Sequence, residues 1–352
     1  YCIQLLGSDY ITFNGIEVRD VGTTSADTTE IGFYFLAASA SDGCQNNIVK
    51  NCTVDLSKAS TSSKGVYLAS PSANTVTGTN STNYFYNNTV RDAHSAYYLQ
   101  GASTSAYYND GNKIGTIDGG SSLIDDIGGG TRSYPLWVAN EKNFEFYGTT
   151  VSNITGTSGL IVYNAGGSSS THSIYNNTFT SISVTGGGQA TVLYLRAGTL
   201  FNVYGNTISN FTAADYEISA IHINSGVANV YNNKIHNISF TGSGFFVAGI
   251  YAYFGTTANI YNNLIYDIKA PNSASSTTPS ARGISVYRCT NVNLYYNTVY
   301  LDYTSLNATN MSAALYARKD GTLNLLMKNN TFINMVNVST GTRAVAFFNY
   351  NT

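Results

Sequence analysis

The stretch FYNNTV at 85–90 decides the fold, because versions of it recur along the whole chain. The clearest further copies are IYNNTF (174–179), VYGNTI (203–208), VYNNKI (230–235), IYNNLI (260–265), LYYNTV (294–299) and MKNNTF (327–332). Weaker copies are FNGIEV (13–18), VKNCTV (49–54), NKIGTI (112–117) and FYGTTV (146–151). Their mean spacing of about 31 residues indicates a repeat architecture.

A second phrase alternates with the first. Its copies are GFYF (32–35), GVYL (65–68), AYYL (96–99), PLWV (135–138), GLIV (159–162), VLYL (192–195), AIHI (220–223), GIYA (249–252), GISV (283–286), ALYA (314–317) and AVAF (344–347). The second and fourth residues are apolar or aromatic, and this period of two predicts a β-strand. Two patterns in strict alternation predict about eleven coils of roughly 31 residues each.

The first phrase contains a corner. Its opening and final residues, such as Val203 and Ile208, are apolar but five positions apart, which breaks the alternation of a strand. The break falls on Asn-Asn or Gly-Asn, residues that tolerate the left-handed conformation, so the phrase is predicted to be strand, sharp corner, strand. Such a unit cannot bury its apolar edge alone, so each strand is expected to pair in parallel with its copy one coil along, about 4.8 Å away.

This repeat resembles that of the pectin-lyase-like superfamily over essentially all of residues 1–352. The resemblance implies an all-β fold, a single-stranded right-handed parallel β-helix (solenoid), and it specifies architecture better than function. It also implies an inward ladder of side-chain amides along the stack, formed by Asn88, Asn177, Asn206, Asn233, Asn263, Asn297 and Asn330. Several copies also match the N-x-T glycosylation pattern, but a position at the corner of every coil favours the ladder.

Composition excludes several classes of protein. Only 10% of the residues are charged, 17 basic against 19 acidic, so no basic patch is present to neutralise nucleic-acid phosphates. No run of about 18 apolar residues is present to span a membrane. The 29 Tyr residues argue against disorder. The 4 Cys residues form no zinc motif, and buried free thiols are expected, with a Cys2–Cys44 or Cys44–Cys52 bridge as the alternative.

The chain is predicted to be one continuous β-helix, 1–352, cut from a longer protein, with a long insert loop around 101–133. Carboxylates in this Gly-rich loop could hold calcium, although neither an EF-hand nor a GGxGxD pattern is present, and no other cofactor is expected. The candidate calcium ligands are Asp118, Asp125 and Asp126. The candidate catalytic residues are the same three carboxylates with Arg132, facing Arg91 and Asp92.

The third residue of the second phrase is predicted to point outward and to stack on its copies in neighbouring coils. These candidate ligand- or partner-binding residues are Tyr34, Tyr67, Tyr98, Trp137, Tyr194, Tyr251 and Tyr316. Ring stacking alone explains the column, and the functional alternative is a stripe that binds glycans or packs on another domain. The residue after the first phrase alternates in charge, which predicts a ladder of exposed ion pairs through Arg19, Asp55, Arg91 and Asp118.

Three functions follow from these observations. The first is a non-catalytic, extracellular structural or adhesive solenoid, part of a large secreted bacterial surface protein, adhesin or fibre, whose partners are other copies or domains of the assembly or surface glycans. The neutral surface, rich in Thr, Ser and Asn, and the scattered carboxylates favour it. The second is a polysaccharide lyase or glycoside hydrolase, and the third is a glycan-binding module without catalysis.

Overall fold

The computed structural model describes residues 1–20, 30–129, 133–156, 160–165, 170–186, 188–198, 200–275, 277–307, 309–337 and 343–351. It shows an all-β parallel β-solenoid of about ten turns, with coils of about 31 residues, as the repeat predicts. Within the described residues the only helix is a 3-10 turn, Ser105–Tyr107. We call the three parallel sheets A, B and C, in the order in which each coil reaches them.

The chain divides into two compact units, and each strand is assigned to the unit that holds most of it. The first unit comprises Tyr1–Gly156, Ile161–Thr178 and Ala197–Leu200. Its sheet A contains Ile3–Leu6, Ile31–Leu36, Lys64–Ala69, Ser95–Gln100, Leu136–Ala139 and Leu160–Ala165. Its sheet B contains Thr12–Asn14, Ile48–Lys50, Tyr84–Tyr86, Lys113–Gly115, Glu145–Tyr147 and Thr171–Tyr175. Its sheet C contains Glu17–Arg19, Thr53–Asp55, Thr89–Arg91, Ser122–Asp125 and Thr149–Ser152, and Ile154–Gly156 follows. Asn109–Asp110 and Glu141–Lys142 form a separate two-stranded parallel sheet.

The second unit comprises Thr157–Leu160, Phe179–Arg196 and Phe201–Thr352. Its sheet A contains Ala190–Arg196, Ile218–Ile223, Val247–Tyr253, Ala281–Tyr287, Ser312–Lys319 and Ala344–Asn351. Its sheet B contains Leu200–Tyr204, Val227–Tyr231, Thr257–Tyr261, Asn291–Tyr295 and Asn324–Lys328. Its sheet C contains Thr207–Ala213, Lys234–Phe240, Leu264–Lys269, Thr298–Leu301 and Thr331–Asn334, and Ile182–Val184 pairs with the first of these. The short strand Thr178–Phe179 has one residue in each unit.

Apolar side chains of successive coils pack directly on one another inside each unit. In sheet A of the first unit, Phe35, Leu68, Leu99 and Val138 are in register, and all four are fully buried. Burial of one such side chain contributes about 1.5–3 kcal/mol, so the stacked column stabilises the coil pairing that the sequence period predicts. Cys44, Cys52 and Cys289 are buried free thiols, and Cys2 is exposed.

One copy of the second phrase is shifted by two residues from its predicted position. The sequence places GLIV (159–162) in register, with Ile161 in the aromatic column, whereas the structure pairs Trp137 with Tyr163. A shift of two positions keeps the same residues facing the core, so the alternation of the strand alone cannot distinguish the two registers. The column in the first unit is therefore aromatic without a gap.

The segment predicted as an insert loop contributes strands to the solenoid. Lys113–Gly115 joins sheet B and Ser122–Asp125 joins sheet C, so the chain leaves these sheets at 101–108 and again at 116–121. Because the corner of this coil is extended, Asp125 pairs with Arg91, and Asp118 lies on an exposed turn. The predicted assignment of Asp118 to the charge ladder is wrong for this reason.

The corners between sheets B and C adopt the left-handed backbone that the sequence predicts. In the clearest repeats the first residue of the pair has a φ near 55°, as at Asn87, Asn232 and Asn262, and Gly205 has a φ of 65°. Asn and Gly tolerate this region at little cost, whereas other L-residues are disfavoured there by roughly 1–2 kcal/mol. The residue that follows points inward and is buried at each of these corners.

An interior ladder of amides runs through the second unit. The Nδ2 atoms of Asn206, Asn233, Asn263 and Asn297 each donate to the Oδ1 atom of the next Asn at 3.0 Å, and the ladder ends on Asn330. The amides of Asn233, Asn263 and Asn297 also donate to backbone carbonyls of the preceding coil, which satisfies these buried polar groups.

In the first unit, the amides at the same positions accept hydrogen bonds from the backbone of the preceding coil. Asn88 accepts from the backbone N–H of Cys52 at 2.9 Å, and Asn177 accepts from that of Thr149 at 3.0 Å. The preceding coil has Cys52 or Thr149 at the equivalent position, so the ladder does not extend from Asn88 or Asn177 onto that coil.

A second row of buried amides, which the sequence analysis did not predict, runs through the first unit. Asn47 donates to Asn83 at 3.0 Å, and the row ends where Asn112 and Asn109 donate to the two carboxylate oxygens of Glu141, at 2.8 and 2.7 Å. Glu141 is fully buried, and this burial raises its pKa to about 8, against the opposing effect of the two amide donors.

Candidate functional site

The charge ladder of the first unit is a structural feature built by the coil register. Arg19, Asp55, Arg91 and Asp125 occupy equivalent positions on adjacent strands of sheet C. The Asp55 carboxylate lies 2.8 Å from Arg91 Nη2 and 3.6 Å from Arg19 Nε. Exposed pairs of this kind contribute about 0–1 kcal/mol each. The Asp55 carboxylate therefore pairs with two cations and is not available as a catalytic acid or base.

The two adjacent candidate carboxylates, Asp125 and Asp126, have different partners. Asp125 accepts hydrogen bonds from Ser152 Oγ at 2.6 Å and from Asn153 Nδ2 at 2.8 Å. Asp126 forms an ion pair with Lys58. Asp126 also lies beside Asp92, whose pKa is raised by burial first and by the charge of Asp126 second. The structure thus brings together Asp92, Asp126 and Lys58, at a left-handed corner where φ is 51° for Asp92 and 50° for Asp126.

The remaining candidates are separate from this cluster. Asp118 lies on its exposed turn, where it has a left-handed φ of 53°. Arg132 lies outside the described residues. Within the described part of the chain, no three His, Cys, Asp or Glu side chains are grouped so that they could hold a metal ion. Calcium binding by Asp118, Asp125 and Asp126 stays a prediction.

The outer face of sheet A in the first unit carries a column of half-buried rings, in which most neighbours are stacked. The Tyr34 and Tyr67 rings are parallel within 3°, with centroids 5.1 Å apart. Trp137 stacks on Tyr98 at 5.5 Å and on Tyr163 at 4.0 Å, with interplanar angles of 7° and 15°. Both faces of the Trp137 ring system are therefore occupied by neighbouring rings, and Tyr134 also packs against it, with ring centroids 4.8 Å apart.

The stack breaks between Tyr67 and Tyr98. Their rings are nearly perpendicular, at 86°, and the Lys64 ammonium lies 5.3 Å from one centroid and 5.6 Å from the other. A groove of about 470 Å³ opens at this break, lined also by Tyr134 and Gln100. Burial lowers the pKa of Lys64, so the groove is partly shielded from water. It presents one cation beside exposed aromatic surface. We call these five residues the Lys64 groove.

The same column is buried in the second unit. Tyr194, Tyr251 and Tyr316 leave 9%, 5% and 2% of their surface exposed, although the sequence analysis placed them in a surface stripe. Phe246 covers Tyr251, with ring centroids 5.3 Å apart at an angle of 86°. The residues before this strand therefore fold over sheet A, an arrangement that the strand pattern itself does not contain. A ligand- or partner-binding role for these tyrosines stays a prediction.

Sequence reasoning missed Lys64, Glu141 and Arg282. Lys64 and Arg282 both lie on sheet A strands close to the second phrase, so a search for charged residues beside the phrase would have found them. No signal in the sequence marks Glu141 as buried, because its partners come from a different coil.

Comparison of the chain with protein-family models, with curated proteins and with solved structures found no match. Among the described residues, no helix has both the length and the apolar character needed to cross a membrane.

Proposed function

We propose that this chain is a non-catalytic structural and adhesive solenoid of the cell exterior, part of a large secreted surface protein, adhesin or extracellular fibre. From the resemblance of the repeat to that of the pectin-lyase-like superfamily we infer a right-handed coil of that superfamily, and we propose a bacterial source. Its partners would be other copies or domains of the same assembly, or surface glycans.

One observation carries the proposal: the candidate catalytic carboxylates are engaged by their own neighbours. Asp125 is held by Ser152 and Asn153, and Asp126 by Lys58. Acid and base catalysis of glycoside cleavage needs two carboxyl groups about 5–10 Å apart across an open site. Asp92 and Asp126 instead lie side by side at a strand corner, an arrangement that supports a structural role.

Incubation of the full chain with a panel of acidic and neutral polysaccharides tests this proposal. No new reducing ends and no unsaturated products are expected from any of them. Cleavage that is lost in the double variant Asp125→Ala and Asp126→Ala would overturn the proposal in favour of a lyase or hydrolase. Cleavage that survives in that variant would also overturn it, and would place the active residues elsewhere.

Attachment is tested on the surface of the organism itself. An antibody raised against the full chain should label intact cells or their extracellular fibres, and mild protease treatment of intact cells should remove the label. A signal that appears only after cell lysis would contradict the extracellular assignment.

The Lys64 groove supports a second candidate, a glycan-binding module. The break in the ring stack leaves aromatic surface beside a cation, which suits a sugar ring. Tyr67→Ala and Tyr98→Ala should abolish retention of the chain in glycan affinity electrophoresis. Trp137→Phe should retain it, because both faces of Trp137 are covered. Equal loss in all three variants would argue against this groove as the binding site.

A further inference from the structure

A cavity of about 280 Å³ lies at the buried part of sheet A in the second unit. The rings of Tyr251, Tyr253 and Tyr287 lie along it, with successive centroids 5.2 and 5.4 Å apart and interplanar angles of 20° and 21°. Arg282 and Arg318 line the same cavity. None of these residues belongs to the Lys64 groove, so the inference goes beyond the proposed function and does not depend on it.

The Arg282 guanidinium is held rigidly with its faces covered. Its Cζ atom lies 3.7 Å from the centroid of Phe246 and 4.1 Å from that of Tyr316. Its Nε atom donates to the carbonyl of Pro279 at 2.7 Å, and its Nη1 atom donates to Ser285 Oγ at 3.2 Å. A guanidinium has five N–H donors, so these contacts leave donors in the plane of the group for a further acceptor.

The cavity has two cations without a carboxylate partner at ion-pair distance. Among the described residues, no carboxylate lies within 4.0 Å of Arg282 or Arg318, and the buried Nε atom of Arg318 has no acceptor. Arg288 stacks on Tyr287 like Arg318 does, but it is paired with Asp320 at 2.7 Å. Burial of a cation costs free energy unless an anion pairs with it. Asp320 is that partner for Arg288, and the cavity lacks such a partner for its own two cations.

Glu217 is the carboxylate that lines the cavity, and it lies outside ion-pair distance from Arg282. Burial raises its pKa, and the positive charge of Arg282 only partly opposes this shift. In its ionised form Glu217 would repel a bound anion, whereas in its protonated form it would donate a hydrogen bond to one. Replacement of Glu217 by Gln removes the negative charge and keeps a hydrogen-bond donor, so it should strengthen the binding of an anion.

We propose that this cavity binds a small ligand that carries a carboxylate on a six-membered ring. The carboxylate lies in the plane of the Arg282 guanidinium, where the fork of N–H donors matches its two oxygens, and Arg318 provides the second cation. The ring packs against the tyrosines. The volume is just below the roughly 300–1,000 Å³ of ordinary ligand pockets, which suits one ring and its acid group. A sugar acid and an aromatic acid share this chemistry.

Calorimetric titration of the full chain with glucuronate and with benzoate tests the proposal and separates the two sources. At least one acid should bind, and glucose and benzamide, which have the same rings without the charge, should bind at least about tenfold more weakly. Binding of glucuronate alone identifies a sugar acid, and binding of benzoate alone identifies an aromatic acid. If neither acid binds at millimolar concentration, or if the neutral compounds bind equally well, the proposal is overturned.

Four variants locate the site. Arg282→Gln should abolish binding, and Arg318→Gln should weaken it about tenfold while keeping the buried Arg282 contacts. Glu217→Gln should tighten binding severalfold, an effect that misfolding would not produce. Arg288→Gln is the matched control and should bind like the unmodified chain, because Arg288 already has its carboxylate. Loss of binding in Arg288→Gln alone, or weaker binding in Glu217→Gln, would overturn the assignment.

Discussion

The two units place equivalent residues of sheet A in opposite environments. In the first unit, Tyr67 and Tyr98 lie half-exposed on an open surface. In the second unit, Tyr251 and Tyr316 occupy equivalent positions of the repeat and are buried, and a charged residue, Arg282, is buried with them. The comparison teaches that the repeat fixes the position of a side chain on the coil, while the segments between repeats decide whether it meets solvent.

The interiors of the units differ as well. The second unit has one row of amides in which each Asn bonds to the next. The first unit has a different row, which ends on the buried carboxylate of Glu141. A neutral amide can continue a ladder in both directions because it donates and accepts, whereas a carboxylate only accepts when ionised and ends the row.

The largest difference between the units is expected for truncation of the aromatic column. Tyr251→Ala should lower the free energy of unfolding by about 3–5 kcal/mol, because it leaves a cavity in a covered face. Tyr67→Ala in the first unit should cost no more than about 1.5 kcal/mol, the value of a partly exposed ring contact. Denaturant unfolding of both variants measures the difference. Equal losses would show that the cover of the second unit adds no stability.

The amide rows allow the next comparison, inside one unit. Asn263→Ala should lower the free energy of unfolding by about 2–3 kcal/mol, because buried donors and acceptors lose their partners. Asn259 belongs to a similar row on the outer side of sheet B, where it donates to Asn229 at 2.8 Å and water can replace that bond. Asn259→Ala is the matched control and should cost less than about 1 kcal/mol. A similar loss in both variants would show that burial does not determine the free-energy cost of removing an amide from its row.

The buried Glu141 side chain of the first unit should make the stability of the chain depend on pH. Its pKa is raised in the folded state, so the folded chain holds its proton more tightly than the unfolded chain does, and stability falls as pH rises from about 4.5 to about 8. The slope is at most about 1.4 kcal/mol per pH unit. Urea unfolding between pH 5 and pH 8.5 should show it, and Glu141→Gln should flatten it.

The control for this experiment is Glu145→Gln, which removes a half-exposed carboxylate paired with Lys113 at 2.8 Å. It should leave the slope of stability against pH unchanged. If Glu145→Gln flattens the slope and Glu141→Gln does not, the buried row is not its source.

The smallest effect is expected on the charge ladder of sheet C. Arg91→Gln removes the 2.8 Å contact with Asp55 and should cost about 0.5–1 kcal/mol, because the pair is close to solvent. The cost should shrink in 1 M salt, since ions screen charges over about 3 Å there. Thermal unfolding at low and high salt measures it. A loss that is independent of salt would indicate a packing role for the Arg91 side chain.

Much of the fold could be predicted from the sequence because the physical signals are local. The period of two along each strand and the Asn corners at a fixed spacing determine strands, corners and parallel stacking. The register in two coils could not be predicted. Tyr163 and Ile161 lie on the same face of one strand, and the corner at 116–121 is longer than its copies, so local pattern does not choose between alternatives.

The candidate sites could be predicted only in part. The sequence analysis identified Tyr67 and Tyr98 by their position in the second phrase, and Asp125 and Asp126 as adjacent acids in the predicted insert loop. It missed Arg282, because its place beside the second phrase locates this cation in the sequence but does not show that it is buried.

By itself the sequence determined a stacked, parallel, all-β coil with an apolar interior, because the energies that select it act between residues close along one repeat or exactly one repeat apart. Only the tertiary structure decided which copies of the aromatic column are covered, which carboxylates already have partners and which guanidinium is buried. These outcomes depend on contacts between loops and coils that no single repeat encodes. Those contacts control which charged groups are buried, and burial changes the pKa and the binding properties of a side chain.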